Sequence, residues 1–310
     1  MPFVQLENES RTKYGSDKNI SDYIDLITGT STGGILAIGL CIPGKNDIQK
    51  YNAQDLLDIY VERGDEIFDI SVWKSIMSVG GLNDEKYDAS ELEDALKDYF
   101  GNIMLCNLLK HCLITSYDFK RRKAHFFRKS AAINDSSNNF LVRDVARATS
   151  ATPTYFETAR IKSNTNITYP LIVGGLFANN PSMCAYAEAR YIHNISSSEE
   201  MSILSLGTGE SKNPYSYPEA KDWGVTSWIK PVIDIMSTAV SETTDFQLQQ
   251  IFSSSNYSDH YLHIQSTIPS WCSTDMDNAS TDNIQALQDV SERIASDNKS
   301  RLKDFVMLLA

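Results

Sequence analysis

The sequence predicts an α/β fold, and three observations carry the prediction. Short apolar runs alternate along the chain with longer stretches whose apolar residues recur at helical spacing. Three of the short runs end in glycine turns, at Gly29, at Gly174-Gly175 and at Gly207-Thr208-Gly209. Apolar residues make up 42% of 310, enough to cover a sheet on both faces, and neither an internal repeat nor a long linker divides the chain. The expectation is one domain over residues 1–310.

In chain order, residues 3–13 read as the tail of a helix, with Phe3, Val4 and Leu6 ahead of charges, and Tyr14-Gly15-Ser16-Asp17-Lys18-Asn19 as a turn. Residues 24–40 then give an apolar strand, the hinge Gly29-Thr30-Ser31-Thr32-Gly33-Gly34, and an apolar helix. A strand-to-helix elbow holds its serine on a sharp turn, and flanking glycines let that turn be tight. The following helix points its N-terminus at any negative charge developing beside Ser31. A helix should start at Asn52 as N-cap, with Asp55 three residues on and Leu56, Ile59, Tyr60 and Arg63 along it, and end at Gly64. The loop Ser78-Val79-Gly80-Gly81 leads through Lys86-Tyr87-Asp88 to a helix carrying Leu92, Leu96, Tyr99 and Phe100.

Residues 112–118 read as a strand that turns at Lys120-Arg121-Arg122-Lys123 into Ala124-His125-Phe126-Phe127, a hairpin whose basic tetrad is most simply a solvated turn. Residues 140–150 read as a helix broken at Pro153. The strand Tyr169-Pro170-Leu171-Ile172-Val173 runs into a Gly/Asn turn, and a helix follows with Pro181 at its first position. Beyond the strand ending at Leu206 come a helix over 228–252, a strand over 260–264, a late helix marked by Ile284, Leu287, Val290 and Ile294, and a tail repeating that pattern at Leu302, Phe305, Val306 and Leu309.

A formal charge of −12 argues against a nucleic-acid partner and against long-range attraction to an anionic membrane. The cysteines Cys41, Cys106, Cys112, Cys184 and Cys272 show neither C-x-x-C nor metal-ligand spacing, and Cys41, Cys112 and Cys184 read as buried packing residues. No motif calls for a metal, Ca²⁺ or a nucleotide. The opening residues have neither a basic nor a sustained apolar segment, and no apolar run is long enough to span a bilayer, so the expectation is an intracellular, cytoplasmic chain.

Four blocks in order, Gly29-Thr30-Ser31-Thr32-Gly33-Gly34, Ala148-Thr149-Ser150-Ala151-Thr152-Pro153-Thr154-Tyr155-Phe156, Gly174-Gly175-Leu176-Phe177-Ala178-Asn179-Asn180-Pro181 and Leu204-Ser205-Leu206-Gly207-Thr208-Gly209, resemble the patatin-like phospholipase family over about residues 16–295. The resemblance implies a three-layer α/β/α fold with a mostly parallel central sheet. It implies a lipid acyl hydrolase acting on a lipid or membrane-surface acyl substrate through a Ser-Asp dyad. Ser31 matches the nucleophile, Gly29 and Gly33 its flanking glycines, and Gly174-Gly175 the pair that follows the dyad aspartate.

The chain departs from that pattern twice. The aspartate position is Val173, which can neither accept a proton nor hydrogen-bond. The family's upstream D-G-G-G-x-R-G turn, whose backbone N–H groups bind the oxyanion, has no counterpart before Ser31, leaving the Thr32 N–H as the donor; that turn follows a sheet strand, whose lack would strain the fold. Loss of the proton acceptor costs a serine nucleophile roughly 10⁴-fold. The expectation is a patatin-like hydrolase that is impaired, or a silent relative keeping a lipid-binding or regulatory role. A histidine-dependent hydrolase fits less well, since residue 31 leaves no room for the strands that fold places before its nucleophile, and His111, His125, His193, His260 and His263 read as structural.

Overall fold

The computed structural model describes residues 1–15, 19–67, 89–153, 155–211, 214–275 and 278–309. The expected loop over 78–81, the segment Lys86-Tyr87-Asp88, residues 16–18 of the first turn and Thr154 lie outside them. Strand β1 (Leu26–Gly29) pairs in parallel with β2 (His111–Asp118), and β2 forms the expected hairpin with β3 (Lys123–Arg128). Strand β5 (Thr168–Val173) runs antiparallel to β2 and carries β4 (Ala159–Lys162) on its far edge. A second parallel pair joins β6 (Ile203–Leu206) to β7 (Tyr261–Ile264). Parallel pairing is thus found at β1–β2 and β6–β7, and the hairpin and outer strands are antiparallel.

One consequence of the register positions everything that follows. Leu113 and Ile114 pair with both β1 and β3, and Ser116 to Asp118 with both β5 and β3. Since β3 occupies one edge of β2, β1 and β5 share the other, end to end. Gly29 stands opposite Ile114 and Val173 opposite Ser116, so the two strand ends meet across one residue, Thr115.

Helices cover both faces, which makes the three-layer α/β architecture. On one face lie α2 (Thr32–Cys41) and, beyond α3 (Ala53–Ile67), α4 (Ser90–Phe100) and α5 (Lys129–Asn134), the helix α6 (Val142–Thr149). Even-numbered residues of β2 face it: a Cβ at Gly34 of α2 would touch Ile114 Cγ2, and Ser116 Oγ lies within reach of the Ala148 carbonyl. On the other face, α7 (Gly175–Ala178) sets Phe177 against Tyr117, and α8 (Ser182–His193) sets His193 edge-on to His111. A separate apolar cluster unites the ends of the chain, where Leu6 of α1 (Pro2–Tyr14) meets Leu262, Ile264 and, beyond α9 (Tyr217–Ala220), α10 (Val225–Ser254) and α11 (Thr281–Asp297), Leu302 and Phe305 of α12 (Lys299–Val306).

Most expected elements are present, and the differences have local causes. Asn52 does cap α3, its side chain accepting from the N–H groups of Gln54 and Asp55, but the helix passes Gly64 to reach Ile67. The first segment is a whole helix rather than a tail, and Pro181 is the N-cap of α8 rather than its first residue. Where two glycines suggested only a turn, α7 makes one helical turn, supported by Ala178 N–H to the Gly174 carbonyl. Strand β4 was not foreseen, although Ala159 to Lys162 alternate buried and exposed. Helix α10 begins at Val225 and runs through Pro231, a residue that cannot donate to the ladder. Of the cysteines expected inside, Cys41 and Cys112 are buried and Cys184 is only half-buried, whereas Cys272 is buried. Among the described residues no helix is long and apolar enough to cross a membrane.

Candidate active site

Ser31 sits between β1 and α2 with φ 54° and ψ −127°, a backbone conformation that L residues adopt only under strain and that a surrounding structure must hold. Two groups hold it. The Ser31 N–H donates to Thr149 Oγ1 at 2.8 Å, and that hydroxyl donates to the Thr115 carbonyl at 2.7 Å. The Ser31 carbonyl accepts from the N–H groups of Gly34 and Ile35, starting α2. The side chain is half-buried, and among the described residues its hydroxyl has no hydrogen-bond partner.

The glycines of the elbow serve different ends. A Cβ at Gly29 would lie 2.1 Å from the Gly33 carbonyl oxygen, so only glycine lets the turn close. A Cβ at Gly33 would meet nothing within 4 Å. Gly34 is the position where α2 packs on the sheet, since its Cβ would lie 2.9 Å from Thr149 Cγ2.

Thr115 joins the elbow to the end of β5. Its hydroxyl is 2.7 Å from Thr30 Oγ1, which donates to the Ala178 carbonyl at 2.6 Å, so Thr115 is the donor between the two hydroxyls. A Cβ at Gly174 would lie 2.1 Å from Thr115 Oγ1; glycine is required there by that approach, its φ of −75° being ordinary. Val173 is buried, its N–H donates to the Ala151 carbonyl, and its Cγ2 borders Gly175 together with Thr30 Cγ2. Gly29 and Val173, two β2 residues apart, bring their backbones about 7 Å apart along that strand. Gly29 and Val173 thus end their strands on either side of Thr115, with Ser31, Thr32 and Gly33 following the first along the chain and Gly174-Gly175 the second.

Sequence reasoning missed Thr115 and did not give Thr149 a role. Thr149 belongs to the second motif block, which was the signal available; Thr115 lies mid-strand and carries none. The third and fourth blocks are also tied, since Asn180 Oδ1 accepts from Ser182 and lies near Ser205, whose hydroxyl is 2.9 Å from His263 Nδ1. His125 sits among the rings of Phe127, Phe140 and Tyr169, where burial pushes its pKa down to about 4. Among the described residues no group of three His, Cys, Asp or Glu side chains could hold a metal ion.

A serine on a strained strand-to-helix elbow, within a sheet covered on both faces, has the layout in which α/β hydrolases hold a nucleophile. The sequence pattern described as "Patatin-like phospholipase" matches residues 10–186, and the chain belongs to that family. It is 28% identical to patatin-like protein 2 of Oryza sativa subsp. indica, over 96% of this chain and 80% of the relative. The identity is also 28% with patatin-like protein 2 of Arabidopsis thaliana, over 93% and 77%, and with "Probable inactive patatin-3-Kuras 1" of Solanum tuberosum, over 95% and 84%. At the level of the family, this is a lipid acyl hydrolase fold.

Proposed function

We propose that the chain is a patatin-like acyl hydrolase whose Ser31 chemistry is impaired by Val173. In this reading Ser31 Oγ attacks the acyl carbonyl of a lipid ester, forming an acyl-enzyme and releasing the alcohol, and water then frees the fatty acid. The N-terminus of α2, opening at Thr32, stands beside the developing oxyanion. What is missing is a group to take the Ser31 proton and return it to the leaving alkoxide, the part played in the family by the aspartate before Gly174-Gly175.

The observation that carries the proposal is Val173 at the end of β5, an apolar side chain that borders Gly175 together with Thr30, the residue before Ser31, at the sequence position of the family's aspartate. The Ser31 hydroxyl, which accepts and donates no hydrogen bond among the described residues, supports it. The name of the potato relative, "Probable inactive patatin-3-Kuras 1", adds weight to a second reading, a silent patatin-like protein that binds lipid.

Fatty-acid release from a p-nitrophenyl ester and from phosphatidylcholine vesicles tests both. The unmodified chain should be nearly inert, and Val173→Asp should raise hydrolysis by roughly 10²- to 10⁴-fold. Ser31→Ala should abolish the gain. Turnover by the unmodified chain that Ser31→Ala removes would mean that another group serves as base, overturning the impaired reading. A folded Val173→Asp variant with no turnover would favour the lipid-binding reading.

A further inference from the structure

A cleft of about 810 Å³ opens between α4, α6 and β4, lined by none of the residues of the Ser31 site. Arg147 of α6 lines it with a side chain only 5% exposed. Its Nε donates to Glu93 Oε1 at 3.1 Å and its Nη2 to the Glu157 carbonyl at 3.0 Å, but its Nη1 is buried with no acceptor among the described residues. A buried guanidinium N–H left unpaired is costly, and an acceptor entering the cleft that Arg147 lines would relieve it.

The charge around it names the acceptor. Arg160 and Lys162, two apart on β4, share one face of that strand, and Lys97 approaches from α4. None of these three has an ion-pair or hydrogen-bond partner among the described residues. Arg143 is already engaged with the Gly101 carbonyl, Asn102 and Asp144. Against these five cations the cleft sets three carboxylates, Glu93, Asp94 and Asp144, in a chain whose formal charge is −12. With the Glu157 carboxylate, 3.8 Å from Arg147 Nη2, counted as well, the local excess is one positive charge, and it is an anion that such an excess attracts; a phosphomonoester carries about −1.5 to −2 at pH 7.

We propose that this cleft binds a phosphate group, with Arg147 Nη1–H donating to one oxygen and Lys97, Arg160 and Lys162 matching the remaining charge. The phosphate belongs either to a soluble phosphate compound or to a lipid headgroup with a terminal phosphate; both present the same oxygens.

Calorimetric titration with pyrophosphate and co-sedimentation with phosphatidylcholine vesicles, with and without phosphatidic acid, test the proposal on the whole chain. Pyrophosphate binding at one site per chain identifies a soluble ligand, and sedimentation that requires phosphatidic acid, without pyrophosphate binding, identifies a headgroup. Arg160→Gln with Lys162→Gln should weaken either signal at least tenfold. Lys120→Gln with Arg122→Gln, an equal loss of charge on the exposed hairpin turn, should leave it unchanged. Arg147→Lys should weaken binding as well, and if that variant does not fold the β4 pair decides. Ser31→Ala should bind as the parent does, which separates this site from the hydrolase reading. Absence of both signals, or equal weakening by the hairpin pair, overturns the proposal.

Discussion

A Cβ at Gly174 would meet the Thr115 hydroxyl at 2.1 Å and the Thr115 backbone at 2.7 Å, whereas one at Gly33 meets nothing within 4 Å. Gly174→Ala should therefore cost about 3 kcal/mol or more, because the clash is with a β2 residue that is paired with Phe126 of β3 and whose neighbours Ile114 and Ser116 are laddered to β1 and β5. Gly33→Ala, inside the first turn of α2, should gain up to about 1 kcal/mol from helix propensity. Urea denaturation of the two variants reads both signs, and a stable Gly174→Ala would remove the close approach from the account of this motif. Thr149→Val should cost about 1–3 kcal/mol, since it leaves the Ser31 N–H and the Thr115 carbonyl unpaired at once; equal unfolding midpoints for parent and variant would count against Thr149 as the group that holds the elbow. These residue-scale facts were only half legible in the sequence. The motif letters were visible, but which glycine answers to a close neighbour depends on what faces it.

At the scale of the element, the β2–β3 hairpin couples charge to burial. Asp118 is fully buried at the end of β2; burial opposes its ionisation, yet the N–H and guanidinium of Arg121 hold its carboxyl below the usual range. His125, on β3, is driven to about 4 by burial, with Asp118 opposing and Lys123 and Arg121 adding to the fall. The folded imidazole stays neutral while the unfolded one takes up a proton below its ordinary value of 6.5. Stability should thus be complete above that pH and decline as pH falls towards 4, by up to about 3 kcal/mol from this residue. Urea midpoints at pH 7 and pH 4.5 measure the decline, and His125→Phe, which keeps the aromatic packing, should flatten it. An unchanged slope in that variant would assign the acid sensitivity elsewhere. The hairpin itself was readable from its alternating strands and basic turn, but the burial of His125 was not, because it is set by Phe140 and Tyr169 from other elements.

Across the whole molecule, the two ends of the chain are joined through one apolar cluster in which Leu302 is fully buried against Leu6, Leu262 and Ile264. Leu302→Ala should cost about 2–5 kcal/mol and, because α1 and β7 share the contact, lower the unfolding midpoint seen by every probe; a change confined to the last helix would show that the cluster is a separate unit. The sequence by itself determined the α/β alternation, the elbow at Ser31, the hairpin and the family, since each rests on periodicities of two to four residues or on short motifs. Only the tertiary structure decided that β1 and β5 meet end to end on β2, that Thr115 and Thr149 hold the elbow from 85 and 118 residues away, and that Arg147 keeps a buried N–H beside unpaired cations. The physical reason is register. Local spacing fixes which face of an element is apolar, but contact across many tens of residues is set by how strands align, and that depends on the whole packed sheet.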